Sequence, residues 1–393
     1  MHNKFYQLLQ KYLFIALLLG IITTGITAQS YFSGVKTFGT DTVAYTHYNN
    51  YVIFKQSFFH LIEQKDLYKL YPEEHWDLYK YSPSFSLLMA PFAALPDLVG
   101  LLFWNLLNVM ILFFALWKLP FVTPKIRLLA LGFIIIELIT SLQNSQSNAL
   151  ITGLIIFAFL FLEKRNIGLA SLFIVLTVFI KIFGLVAFSL FLFYPDKIKS
   201  ALCTLSWVLL FAVLPLLVTP LSQLIFQYQS WLHLLQNDHS ASFGLSVAGW
   251  LQTWFGVDAK NLIVIIGVIL FCLPFINYKY FNELKFKLFF LSSILIWIII
   301  FNHKAESATF IIAVSGISIW FFSQKFKTEN LIFLLLAFVF TILSPTDLFP
   351  KSVRVNFVVP YVLKAVPCIL IWVKIIFDLV FYKSEHDLKE GIV

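Results

Sequence analysis

Long apolar segments recur along almost the whole chain, and they constrain its fold more than any other feature. About twelve are found, at 12–28, 97–117, 127–140, 149–162, 167–180, 182–195, 200–218, 259–276, 286–301, 306–323, 329–344 and 358–381. A helix that crosses a membrane takes about 20 apolar residues. Because several segments are shorter, tilted, broken or buried helices are expected among them. The pattern predicts an all-α polytopic membrane protein of about twelve transmembrane helices.

The composition agrees with a protein whose outer surface faces lipid. Of its 393 residues, 60% are hydrophobic and only 12% are charged, which a soluble core of this size does not need. The net charge of +8 sits in short loops, so it indicates membrane topology rather than nucleic-acid binding. The cysteines fall inside apolar segments, and no metal-binding or nucleotide-binding motif occurs. We therefore expect a single integral-membrane domain over 1–393 with no metal and no cofactor.

The distribution of lysine and arginine predicts the orientation in the membrane. With the N-terminus in the cytoplasm, most cations fall in cytoplasmic turns, whereas Lys351 and Arg354 go against the trend. The long loops 29–96 and 219–258 are then extracytoplasmic. We expect a multi-pass protein of the plasma (inner) membrane whose active site faces outward. The first apolar segment could be a cleaved signal peptide, but we expect a retained span, since nothing downstream resembles an exported domain.

The first long loop contains an amphipathic helix by pattern. Tyr51, Phe54 and Phe58 recur at spacings of three and four residues, with Lys55 between them. A tyrosine-rich link with mixed charges follows over 66–80. Because so many charged side chains cannot lie in hydrocarbon, the sequence predicts an extracytoplasmic amphipathic-helix loop on the membrane surface.

Further polar residues fall at the same predicted face. The turn 141–148 contains Gln143, Asn144, Gln146 and Asn148, which is more than helix capping requires, and amides hydrogen-bond sugar hydroxyls well. Functional and structural interpretations of this turn are equally supported by the pattern.

Four ionisable residues stand out near predicted membrane boundaries. Glu137 lies inside an apolar segment, where a carboxylate is a site hypothesis by default. Lys181 is suited to bind a phosphate, although it could also extend toward the membrane surface. His303 and Lys304 lie in a short turn that ordinary solvation also explains.

A series of motifs occurs in a characteristic order. They are Asp66-Leu67-Tyr68, Tyr81-Ser82-Pro83-Ser84-Phe85, Trp104-Asn105, Gln146-Ser147-Asn148 and Lys181-Ile182-Phe183-Gly184. Together, over roughly residues 10–310, they resemble glycosyltransferase family 87. The resemblance implies a GT-C-like helical bundle that takes mannose from a polyprenyl-phosphate carrier. The family's lysine turn contains a proline, which this chain lacks.

One departure from the family concerns its catalytic aspartate. Counting back from Tyr68 places that position at Asn50, and an amide cannot act as a base. Asp41 is the nearest upstream carboxylate, so we take it as the candidate catalytic residue. Either Asp41 has taken the role through a shifted loop, or the chemistry is altered or lost.

The resemblance implies an inverting transfer of a hexose, with mannose expected, to an envelope glycan or glycolipid. The lipid bilayer, the polyprenyl-phosphate sugar and the acceptor are the expected partners, and no nucleic acid is expected. Basic side chains would stabilise the departing phosphate. The candidate residues for binding the donor are Asn50, Lys55, Tyr81, Gln143, Gln146, Asn148, Lys181, His303 and Lys304.

Two other classes of function fit the sequence. A transporter or flippase would use Glu137 and Lys181 as coupling charges, although no internal repeat is visible. A non-catalytic partner of an envelope assembly would explain the amide at Asn50. Transfer of a labelled sugar separates the enzyme from both.

Overall fold

The computed structural model describes residues 2–38, 43–121, 123–237 and 242–384, with side chains from residue 12 onward. Its helices and strands follow in chain order: α1 (His2–Phe32), β1 (Val35–Thr37), β2 (Ala44–Thr46), α2 (Asn49–Ile62), α3 (Pro83–Leu88), α4 (Ala90–Ala93), α5 (Asp97–Lys118), α6 (Pro124–Gln143), α7 (Asn148–Glu163), α8 (Ile167–Ile180), α9 (Lys197–Val213), α10 (Leu221–Asn237), α11 (Val247–Phe255), α12 (Lys260–Cys272), α13 (Leu284–Ile300), α14 (Ile311–Phe322), α15 (Thr328–Leu336), α16 (Lys351–Val353) and α17 (Val366–Val380). Strand β1 pairs antiparallel with β2.

Several helical segments are not α-helical. Segments Ile182–Phe193, Leu214–Leu217, Leu273–Tyr280 and Ser307–Thr309 are 3-10 helices, and Ala337–Leu343 and Arg354–Val358 are π-helices. A 3-10 helix rises about 2 Å per residue, compared with 1.5 Å in an α-helix. The short apolar segment 182–193 is therefore longer in space than its residue count suggests.

The membrane character predicted from the sequence is supported by helix length and composition. Within the described part of the chain, five helical stretches are long and apolar enough to cross a membrane: Tyr12–Phe32, Asp97–Lys118, Pro124–Gln143, Lys197–Leu217 and Lys260–Tyr280. Other apolar helices are shorter. Helix α8, for example, has 14 residues and is only about 21 Å long, whereas the hydrocarbon layer is about 30 Å thick. The class is helical and membrane-bound, while the number twelve stays a prediction.

The chain divides into two compact units. Unit 1 comprises Met1–Lys118, Leu138–Leu185 and Ile198–His239, and unit 2 comprises Leu119–Glu137, Val186–Lys197 and Ser240–Val393.

In unit 1, helix α7 packs between α5 and α8, and α1 packs on α5. Gly153 permits the close approach of α7 to α5, because a Cβ there would lie 2.8 Å from the carbonyl carbon of Ile111. The predicted amphipathic helix of the first loop is present as α2. It buries Tyr51 and Phe54 as its pattern indicates, and it also buries Ser57 and His60. Helix α2 packs on α3 and α4.

The predicted second long loop, 219–258, is largely helical where the structure describes it. It contains α10 in unit 1 and α11 in unit 2. The aromatic stretch forms α11 because Ser246 caps its first turn and Gly256, with φ +68°, ends it in the left-handed conformation.

In unit 2, the core forms where α13 packs on α14 and α17. Gly316 of α14 lies against the backbone of α13, since a Cβ there would be 2.8 Å from the Ser292 carbonyl oxygen. The indole of Trp372 is buried and donates to the Ser293 hydroxyl over 3.0 Å. This core is apolar and closely packed.

Candidate active site around Lys181

The Lys181 ammonium group is held by two amide oxygens of unit 1. Its Nζ lies 2.9 Å from Asn148 Oδ1 and 3.2 Å from Gln146 Oε1. Asn148 is fully buried and Gln146 nearly so, whereas Lys181 is half-buried. Amide oxygens orient an ammonium by ion–dipole contacts, and these contacts do not cancel its charge. The arrangement is suited to a cation that meets an anionic group of a substrate.

A change of helix type places Lys181. Helix α8 ends because Lys181 is extended, with φ −142° and ψ 126°, and the 3-10 helix starts at the next residue. Gly184 is required in this turn, because a Cβ there would lie 2.4 Å from the Thr177 hydroxyl oxygen. The motif Lys181-Ile182-Phe183-Gly184 is thus a tight turn that keeps the lysine beside α7.

The amide turn before α7 is fixed by contacts with α5 and α2. Ser145 has φ +51°, and its carbonyl accepts from the Trp104 indole over 3.0 Å. The Asn50 amide donates to the Asn144 carbonyl over 2.9 Å. The capping interpretation of the turn's amides does not hold at Asn148, whose Oδ1 faces Lys181. Asn108 of α5 instead supplies the cap, because its Oδ1 accepts from the Leu150 backbone N–H over 3.0 Å.

Aromatic rings border the Lys181 ammonium. The Tyr81 ring centroid lies 5.6 Å from Nζ and that of Phe183 lies 5.7 Å away. Tyr81 in turn packs on Phe54 of α2 at 4.9 Å and on Phe85 of α3 at 5.0 Å. Such rings offer cation–π attraction and flat apolar faces.

The Tyr81–Phe85 motif has a clear structural role. The Ser82 hydroxyl donates to the Phe179 carbonyl near the end of α8 over 2.6 Å, and its oxygen accepts from the Phe85 N–H to cap α3. Pro83 suits the first turn of that helix because it needs no N–H donor there. The Tyr68 hydroxyl donates to the Tyr81 carbonyl over 2.9 Å, and burial raises the pKa of Tyr68 well above its usual value, so it stays a neutral donor.

Several candidate residues are engaged elsewhere in unit 1. Lys55 Nζ lies 2.6 Å from Asp97 Oδ1 and donates to the Leu95 carbonyl over 3.3 Å. This ion pair places a carboxylate at the start of α5, where the helix dipole favours it. Gln143 is exposed and its amide lies 3.4 Å from the side-chain oxygen of Gln29 in α1. These contacts give Lys55 and Gln143 structural roles, and their predicted donor contacts stay predictions.

His303 and Lys304 belong to unit 2. Their turn is closed by the Asn302 side chain, which accepts from the Lys304 backbone N–H over 2.9 Å. Gly244, with φ +60°, lies directly against it, because a Cβ there would be 2.5 Å from the His303 carbonyl oxygen. The Leu245 N–H donates to the Ala305 carbonyl over 2.9 Å. The turn is thus well fixed, and its predicted phosphate role stays a prediction.

Glu137 also lies in unit 2, and its partner is a residue that the sequence analysis missed. Glu137 Oε1 lies 2.7 Å from Lys364 Nζ, and both side chains are buried. The Lys364 ammonium also donates to the Ser307 hydroxyl over 2.8 Å and lies 4.9 Å from the Phe310 ring centroid. The sequence feature that could have identified Lys364 is its position as a cation inside the apolar segment 358–381.

Two predicted residues concern the mechanism directly. Asp41, the candidate base, lies outside the described residues. Asn50, the position to which the family's aspartate maps, is the second residue of α2 and contacts the amide turn beside Lys181. Among residues that the structure describes, no three His, Cys, Asp or Glu side chains are grouped to hold a metal ion.

The fold and this cluster define a helical membrane protein with a lysine, amides and aromatic rings gathered in one unit. The model of glycosyltransferase family 87 matches residues 79–345, and the chain belongs to this family. Membership indicates glycosyltransferase activity. The match includes Tyr81, Gln146, Asn148 and Lys181, whereas Asn50 and the Asp66–Tyr68 motif precede it. No curated protein matches the chain.

Proposed function

We propose that this glycosyltransferase moves mannose from a polyprenyl-phosphate carrier to an envelope glycan or glycolipid on the extracytoplasmic face of the inner membrane. The observation that carries the proposal is the Lys181 ammonium group, oriented by Gln146 and Asn148 beside the Tyr81 ring. A phosphate-linked sugar needs a cation at its phosphate. Amide groups and an aromatic face at the same place suit the sugar.

The proposed step is a displacement at the anomeric carbon. The acceptor hydroxyl oxygen forms a bond to that carbon as the bond from the carbon to the phosphate oxygen breaks. A carboxylate takes the hydroxyl proton, and the polyprenyl phosphate leaves with the bonding electrons. Negative charge grows on the departing phosphate, so a fixed ammonium stabilises the transition state more than the ground state. Lys181 is assigned this role.

The base is assigned to Asp41. Asn50 has the position that the family's aspartate would occupy, and its amide donates to the Asn144 carbonyl, which a carboxylate cannot do. Position 50 is therefore adapted to hold the amide turn in place. Two of the link's four carboxylates contact basic side chains: Glu74 contacts His60, and Asp77 contacts Lys80. These contacts favour a base from outside the link.

The outward orientation rests on the loop cations. Lys118, Lys164 and Lys285 lie in turns of one side by the alternation of spans, and the first loop lies on the other. A lipid-phosphate donor suits this side, because its isoprenoid chain stays in the membrane while its sugar reaches the surface.

The deciding experiment measures transfer of radiolabelled mannose from polyprenyl-phosphate mannose by the full-length protein in proteoliposomes with added envelope lipid. We expect label in a new glycan or glycolipid product, and at least about tenfold less of it with the Lys181→Gln variant, which loses a charge-assisted contact of about 1.5–3 kcal/mol. Lys164→Gln is the matched control, since Lys164 is exposed in a different turn. Transfer from polyprenyl-phosphate glucose alone would overturn the choice of sugar.

Movement of the intact donor across the bilayer, without transfer, would support the flippase alternative and overturn the proposal. Equal transfer by Lys181→Gln and Lys164→Gln would overturn the assignment of Lys181, because the ammonium group would then have no part in donor use.

A further inference from the structure

Helix α10 presents one face to the rest of unit 1, and this face holds the first loop. Gln223 donates to the Gln64 carbonyl over 2.7 Å, and Gln227 donates to the Lys65 carbonyl over 2.6 Å. Gln227 also accepts from the Leu67 N–H over 3.1 Å. Residues 223 and 227 are one helical turn apart. These hydrogen bonds, which hold segment 64–67 against α10, are all made by the side-chain amides of α10.

The same face continues one turn further along α10. The Ser230 hydroxyl donates to Asp66 Oδ1 over 2.8 Å, and the Trp231 indole lies 3.3 Å from the Lys80 carbonyl. Gln227 is fully buried by these neighbours. These contacts thus tie α10 to the link 66–80, which leads directly into Tyr81 beside Lys181.

The outer surface of α10 carries an apolar strip and a polar strip, and the 42% exposed Phe226 lies at the far edge of the polar strip, next to the face that packs on unit 1. Leu221, Ile225 and Leu232 form an apolar strip and are 61%, 49% and 55% exposed. At 100° per residue they fall within an arc of about 40°. The next strip around the helix is polar, and its exposed members are Ser222, Gln229, His233 and Gln236. A helix that lies at the boundary of a bilayer has three surfaces around its circumference: one packs on the protein, one faces lipid and one faces water.

The position of α10 in the chain favours a lipid partner. It begins four residues after the membrane-span candidate Lys197–Leu217, whose side chains Leu205 and Leu209 are exposed as lipid-facing groups are. Three apolar side chains are far fewer than the roughly 20 residues per side of a stable protein interface. The apolar strip therefore continues a lipid-facing surface rather than forming a dimer contact.

We propose that α10 lies in the membrane interface, with its apolar strip among the lipid chains and its polar strip in water, and so anchors segment 64–67 to the bilayer surface. Helix α10 carries no acidic or basic residue apart from His233. The anchoring is therefore apolar and does not depend on anionic lipids.

The test uses spin labels in full-length protein whose three natural cysteines are replaced by alanine. Single cysteines are placed at Ile225 and, as the matched control one turn away, at Gln229. Leu205 in the preceding span gives a hydrocarbon reference, and the exposed Glu63 gives an aqueous reference. The labelled proteins are reconstituted in phosphatidylcholine vesicles, and accessibility to oxygen and to a water-soluble nickel chelate is measured.

We expect the logarithm of the oxygen-to-nickel ratio to have the sign of the Leu205 reference at 225 and the sign of the Glu63 reference at 229. Positions 232 and 222 form a second pair if either variant fails to fold. Equal ratios at 225 and 229 would overturn the proposal, as would an immobile label at 225 shielded from both reagents, which indicates a protein partner.

A second arm tests the apolar character of the anchoring. Addition of anionic phosphatidylglycerol, at low and at high salt, should leave the ratio at 225 unchanged. A ratio that rises with anionic lipid and falls with salt would mean that charge seats the helix, and would overturn the apolar assignment.

Discussion

At the scale of single residues, the assignment of the base is tested by a charge-removing substitution. We expect Asp41→Asn to abolish mannose transfer while protein yield and binding of the donor stay unchanged, because an amide cannot accept the acceptor's proton. Asp77→Asn is the control, since Asp77 forms a partly exposed ion pair with Lys80. Full transfer by Asp41→Asn together with inactivity of Asp77→Asn would assign the base to the link instead.

The polar groups around Lys181 show which part of the candidate site the sequence predicts. Lys181, Gln146 and Asn148 stand out as polar residues beside apolar segments, so their presence could be predicted. Their mutual contact could not, because Asn148 and Gln146 lie 33 and 35 residues from Lys181 in the chain. Lys55 shows the opposite case: its conspicuous charge is paired with Asp97, which lies 42 residues further along.

The buried pair of Glu137 and Lys364 belongs to the same scale. Removal of one partner leaves a buried charge, so Glu137→Leu or Lys364→Met should each lower the stability by about 3–5 kcal/mol. The double variant should recover most of this loss, since two apolar groups replace two charges. Thermal unfolding in detergent measures the effect, and Lys80→Met in a partly exposed pair should cost less than about 1 kcal/mol. Additive losses in the double variant would contradict the coupling.

At the scale of elements, helices could be predicted better than their type. Periodicity indicated α2 correctly, and apolar runs located α7 and α8. The 3-10 helix over Ile182–Phe193 could not be predicted, because a run of twelve mostly apolar residues fits an α-helix equally well. Local contacts determine the type of helix. The extended conformation of Lys181 ends α8, and the close contact of Gly184 with Thr177 fixes the tighter turn.

The junction of α8 and this 3-10 helix leads to a test at Gly184. We expect Gly184→Ala to displace the turn that carries Lys181, because its Cβ would lie 2.4 Å from the Thr177 hydroxyl oxygen. Transfer activity should fall about tenfold or more, since a misplacement of about 1 Å can reduce catalysis about 100-fold.

Gly132→Ala in α6 is the matched control, because a Cβ there meets nothing within 4 Å. Both variants are compared for kcat/KM with the donor. If the two lose activity equally, the cause lies in a general effect on helices and not in the Lys181 turn.

At the scale of the whole molecule, the membrane class followed directly from composition, while the sidedness rests on loop cations alone. Labelling with a membrane-impermeant maleimide tests this sidedness. The label is placed at Glu63, which is exposed, because α2 buries positions such as Ser57. We expect Glu63→Cys to react in intact cells and Lys164→Cys to react only after permeabilisation. The reverse pattern would invert the topology and place Lys181 with the cytoplasmic face.

One turn of α5 has a consequence for biogenesis. Asn105 donates to Thr27 of α1 over 3.0 Å, whereas Asn108 accepts from Leu150, which is synthesised 42 residues later. When α5 leaves the translocon, the Asn108 amide N–H already donates to the Trp104 carbonyl of the same helix over 3.0 Å, whereas Asn108 Oδ1 still lacks the Leu150 N–H. An amide oxygen without a partner is unfavourable in lipid. We therefore expect α5 to stay at the lateral gate until α7 emerges, so that insertion order itself assembles the amide turn.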